Sequence, residues 1–298
     1  MEYFERVTVA LCLAPVDDDL LRYARLVRDM GKGGVEFTFV HVLPPVDAGR
    51  ARERDVRPLE EVRATLRKAV AEHFGEVASG AVQVLTGSHL DKLLETAAEA
   101  GSDLVMLGHR RAARGRRSSS RRLAMKAPCS VWMVPEGSPA RISHVLAAAD
   151  CSQPSARAVS LATLIASRAG KAACSVLHVI EPSLLQPDGA ASSQARRDLD
   201  QFLVPLDLHG VDVRQLVTEG GSVAGVAARY VATDGIDLMV LGTRGRSRSA
   251  AVLLGSESEG VLLESTVPVL VTKDRGERLG ILRELLDRDF RSTEPRFG

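Results

Sequence analysis

Between Gly242 and Ser256 the chain reads GTRGRSRSAAVLLGS, with glycines at 242, 245 and 255 and arginines at 244, 246 and 248. That composition suits phosphate chemistry. Gly242 closes the apolar run IDLMVL, where a glycine would let the backbone approach a ligand and take a positive φ. Ser256 precedes ESEGVLLE, a helical pattern, so its hydroxyl can cap a helix whose first N–H groups would face an anion. Arg244 and its neighbours add positive charge between the two ends. Strand end, glycine-bounded loop and helix start together form a phosphate cradle for a nucleotide, with ATP the expected ligand.

A nucleotide needs a second wall. In doubly wound sheets ligands sit beyond the carboxyl ends of the strands, where the strand order reverses. Asp150 ends the run HVLAAA and is placed to accept hydrogen bonds from a ribose hydroxyl or a base amino group. Val179, near the end of the next strand, can offer backbone contacts to the base. His41 and His178 lie within apolar strands and read as core residues. Cys151 stands beside Asp150, but no base is placed near it by sequence.

The elements that must position these residues occur twice. Apolar runs at 7–14 and 144–149, each with a helical pattern after it, are followed by VEFTFVHVLPP (35–45) and AACSVLHVIEP (172–182). SDLVMLGHR (102–110) matches IDLMVLGTR (236–244), and PCSVWMVP (128–135) matches PVLVTK (268–273). Apolar strands alternating with helices indicate parallel sheets covered on both faces. The expected fold is therefore α/β, with two tandem doubly wound domains, each a five-stranded parallel sheet with helices on both faces. The boundaries read as 1–137 and 141–273, joined by a Pro/Gly/Ser-rich linker. A tail, 274–298, carries leucines at helical spacing.

The chain has 298 residues, 45% hydrophobic and 26% charged, with a net charge of +1. That is ordinary globular composition, and it gives no global signal for nucleic acid or an anionic membrane. No apolar run approaches the ~18–20 residues that span a bilayer. The amino terminus lacks a basic leader and reads as a first core strand. Four cysteines without a CxxC pair point to a reducing, cytoplasmic setting and to no protein metal site.

The repeated unit, Asp150, the HVIEP strand and above all the spacing G-x2-G-x9-G-S resemble the universal stress protein family. The resemblance implies a tandem member whose halves pair through their Pro-led final strands, 128–134 against 268–272. It implies that Ala148, Ala149 and Asp150 flank adenine and ribose, with Val179 against the base. Leu241, Gly242, Gly245, Gly255, Ser256 and Ser258 would contact ribose and phosphates. ATP as its Mg2+ complex is the expected cofactor, and a further homodimer is an expected assembly. Glu257 departs from the family pattern, which has an apolar residue there, and is expected to point outward.

The first copy departs further. Pro15 is aligned with Asp150, Arg111 with the second glycine, and Arg121 and Arg122 with Gly255 and Ser256. Gly108 to Pro128 spans 20 residues, against 26 from Gly242 to Pro268. The segment from Arg110 to Arg122 holds seven arginines and no acid. It reads as a solvated basic loop or as a site for an anionic partner, without the aromatic residues that stack on bases. One ATP site, in the second copy, is expected. An ATP-binding stress-response or regulatory module is the leading reading. The alternatives are a slow ATPase or autophosphorylating enzyme, for which no Walker-type lysine is visible, and a scaffold using the arginine loop.

Overall fold

The computed structural model describes residues 3–45, 59–77, 79–109, 119–180, 190–242 and 256–273. In the first half β1 (Arg6–Leu11), α1 (Val16–Met30), β2 (Glu36–Leu43), α2 (Leu59–Phe74) and β3 (Val82–Thr86) are followed by α3 (His89–Glu99), β4 (Leu104–His109), α4 (Ser119–Lys126) and β5 (Ser130–Pro135). The second half repeats the order with β6 (His144–Ala148), α5 (Gln153–Arg168), β7 (Ala173–Ile180), α6 (Ala190–Leu203) and β8 (Val213–Glu219). It closes with α7 (Val223–Asp234), β9 (Leu238–Gly242), α8 (Ser256–Glu264) and β10 (Val269–Thr272).

The ten strands form one sheet, ordered β3-β2-β1-β4-β5-β10-β9-β6-β7-β8. Pairing is parallel within each half, and the halves meet antiparallel through β5 and β10, where Leu270 faces Trp132. The two five-stranded units expected from the sequence are therefore halves of a continuous sheet. Strand residues alternate between two cores, as the period of two requires. Val7, Val9, Leu104, Met106 and Trp132 pack on the side of α1, α2, α5 and α6. Ala10, Val105, Leu107, Val131 and Met133 pack on the side of α3, α4, α7 and α8.

Side chains fasten the halves beyond the strand pairing. The Tyr23 hydroxyl donates to the Pro139 carbonyl at 2.7 Å, and the Gly137 N–H donates to Asp19 at 2.6 Å, tying the linker to α1. Arg168 at the end of α5 donates to the Met30 carbonyl and lies over the Tyr3 ring. On the other face the Lys273 ammonium donates to the carbonyls of Met125 and Ala127, neutralising the negative end of the α4 dipole.

Candidate functional site

The strand order reverses between β6 and β9, so the second half has its crevice there. Two bonds set the end of β6. The Ala149 N–H donates to the Leu177 carbonyl at 2.9 Å, and the Ala149 carbonyl lies 2.7 Å from Nδ1 of His178. His178 is thus a strand-end pin, as is His41 in the first half, whose Nδ1 lies 2.9 Å from the Leu11 carbonyl. The chain then turns through Cys151, which takes a positive φ of 60°. The Ser152 N–H donates to Asp150 at 3.1 Å, an Asx-type turn that orients the half-buried carboxylate. Ser152 and Ser155 form a capping box that starts α5.

Across the crevice Gly242 ends β9 and is buried, as is Leu241 before it. It does not take the positive φ anticipated for it. A Cβ added there would lie 2.9 Å from the Pro154 carbonyl carbon, so glycine is required by the close approach of the first turn of α5. The Gly242 carbonyl accepts a hydrogen bond from Oγ of Ser258 at 3.0 Å. Glu257 is exposed and turned to α7, where its carboxylate accepts from the Val223 N–H at 2.8 Å. The two ends of the loop are therefore fixed relative to each other. Arg244, Gly245 and Gly255 lie outside the described residues, and only the backbone of Ser256, the first residue of α8, is described. Ala148 and Val179 are half-buried at the ends of β6 and β7.

The first half follows the same plan with different chemistry. Val7 pairs with Leu104 as Val145 pairs with Leu238, and Asp103 accepts from the Glu5 and Arg6 amides as Asp237 does from those of Ser143 and His144. This register equates Asp150 with Cys12, correcting the alignment with Pro15. Leu13, with φ 55°, is the counterpart of Cys151. The carboxylate is lost either way. Asp17 from α1 accepts instead from the amides of Cys12 and Leu13, at 3.0 and 2.7 Å.

Gly108 repeats the packing of Gly242, since a Cβ there would meet Val16 at 2.7 Å. Arg121 and Arg122 fall within the first turn of α4, which starts at Ser119, and not at a loop–helix junction like that of Ser256. Residues 110–118, with Arg111, lie outside the described residues.

One of these features had a sequence signal that went unread: the His-Val pair in both second strands marks the histidine pins. Glu257 points outward, as expected, and its contact with α7 was the part not foreseen. Among the described residues no three His, Cys, Asp or Glu side chains converge as a metal site. No described helix is long and apolar enough to cross a membrane.

A family model described as "Universal stress protein family" matches residues 4–135 and again residues 141–273. Among solved structures, one of a putative universal stress protein from Pseudomonas aeruginosa UCBPP-PA14 is 17% identical, with a TM-score of 0.70 over 95% of this chain and 98% of that one. Another, a universal stress protein from Archaeoglobus fulgidus DSM 4304, is 19% identical, with a TM-score of 0.66 over 90% and 96%. A universal stress protein in complex with cAMP is 23% identical and covers 45% of this chain and 98% of its own, with a TM-score of 0.34. A search of curated proteins gave no match.

Proposed function

The chain belongs to the universal stress protein family, and from that premise we propose that it is an ATP-binding regulatory module with one nucleotide site, in the second half. Adenine and ribose lie beside Ala148, Ala149, Asp150 and Val179, and the phosphates lie against the segment from Gly242 to Ser258. The observation that carries this reading is the juxtaposition at the switch point. The Asp150 turn and the Gly242 strand end close on each other through Pro154, and the Ser258–Gly242 bond brings the start of α8 to the same edge. Free N–H groups at a helix start favour an anion there. The sequence adds Arg244 between them. Mg2+ bound to the phosphates keeps most of its waters and needs few protein ligands.

Binding and not turnover is the primary role in this reading. Equilibrium dialysis with ATP on the intact chain, Gly242→Val and Asp150→Ala tests it. Binding by the intact chain and weakening in both variants is expected. Equal binding by all three removes the site from this position.

A further inference from the structure

We propose that His178 is a positioning residue of the second-half site: its ring holds the turn that carries Asp150 and so sets the carboxylate that the nucleotide meets. The inference rests on the nucleotide reading above and adds to it a residue that acts without touching the ligand. The ladder between β6 and β7 ends at the pair Ala148–Leu177, while β7 runs on beside β8 to Ile180. Beyond that pair the Ala149 N–H still reaches the Leu177 carbonyl at 2.9 Å, and the His178 ring reaches back to the Ala149 carbonyl at 2.7 Å. A carbonyl only accepts, so Nδ1 carries the proton and donates. Ala149 is buried, and loss of the ring would strand its carbonyl.

Asp150 therefore lies between two anchors. Before it stands the His178 bond. After it the Ser152 N–H donates to the carboxylate at 3.1 Å, and the capping box starts α5. Between them the chain passes through Cys151 at φ 60°, a left-handed conformation that surrounding contacts must impose on a residue with a side chain. With the first anchor removed the turn can relax and carry the carboxylate with it. A misplacement of about 1 Å is enough to weaken a preorganised site. The first half has the same pin with a different consequence. His41 holds the Leu11 carbonyl and Leu13 takes φ 55°, but that turn carries the thiol of Cys12, and Asp17 bonds the Cys12 and Leu13 amides. Ser155, at the position matching Asp17, bonds Ser152 instead. The pin is common to both halves, and the carboxylate for it to position belongs to the second.

Equilibrium dialysis with ATP on the full chain, with thermal unfolding of the same samples, tests this. His178→Leu should weaken ATP binding about tenfold, the lower end of what removing an orienting partner costs a site. His178→Asn, whose amide nitrogen stands where Nδ1 does, should restore it. His41→Leu removes the equivalent pin and should lower the Tm comparably while leaving ATP affinity unchanged. In an Asp150→Ala background His178→Leu should cost less than about twofold more, because a residue acting through the carboxylate has nothing left to position. Should His178→Leu fail to fold, His178→Gln, whose amide reaches to the place of Nε2, takes its part. Unchanged affinity in His178→Leu, an equal loss in His41→Leu, no rescue by Asn, or the full loss repeated in the Asp150→Ala background would overturn the proposal. Absence of ATP binding by the intact chain would instead overturn the nucleotide reading, and the proposal with it.

Discussion

The carboxylate of Glu257 accepts a hydrogen bond from the backbone N–H of Val223 at 2.8 Å, joining the first turn of α8 to that of α7. An acid so close to the helix start proposed to face phosphate would repel the ligand if it pointed inward. Turned outward, it caps an N–H of α7 and holds the first turn of α8 against that helix. Two substitutions separate these roles. Glu257→Gln keeps an acceptor and removes the charge, so affinity for ATP should stay near that of the parent. Glu257→Ala breaks the clamp, a bond to a charged group contributing roughly 1.5–3 kcal/mol. A fall in ATP affinity of about tenfold is expected, measured by equilibrium dialysis. A rise in affinity in both variants would show that the charge acts on the phosphates instead.

Trp132 is the chain's one tryptophan, fully buried opposite Leu270 in the antiparallel seam, with its ring centroid 6.3 Å from that of Tyr23. Its emission should be blue-shifted in the native protein and move red when the seam opens. Trp132→Ala should cost about 3–5 kcal/mol, the range for truncating a large buried aromatic. Denaturant unfolding followed by circular dichroism measures it. Trp132→Phe should cost much less, because Nε1 has no hydrogen-bond partner among the described residues.

Alkaline pH should loosen the same region. Burial, with the charge of Asp237 second, pushes the Tyr23 pKa well above its usual value of about 10. Between those two values the unfolded chain has released a proton that the folded chain retains. Stability is therefore fully present below about pH 10 and declines as pH rises beyond it. Tyr23→Phe should show a shallower decline in Tm above pH 10, although Tyr3, also raised by burial, contributes its own share. At neutral pH the variant should lose about 0.5–1.5 kcal/mol for the bond to Pro139.

The repeat and its parallel strands were legible because buried strands are apolar throughout and recur in the same order. The third strand of each half was not located, and the reason is physical. β3 and β8 are the two edges of the sheet, and in β8 only Leu216 is fully buried, so no continuous apolar run marks it. The alignment of Pro15 with Asp150 failed for a related reason. Leu13 and Ala14 extend the apolar run into the turn, so β1, which ends at Leu11, looks three residues longer than it is. Gly242 was singled out for a positive φ and for approach to a ligand; it takes no positive φ, and the contact that demands glycine is with Pro154, on a helix that spacing alone does not bring near. The Asp150 turn was readable by residue type; its fixing by the Ser152 N–H needed coordinates.

One measurement addresses the asymmetry between the halves most directly: the stoichiometry of ATP bound at saturation by the intact chain, read by equilibrium dialysis. With Asp150 and the Gly242–Ser256 segment in the second half, and Cys12 and a shortened segment in the first, one ATP per chain is expected. Two per chain, or none, would contradict it.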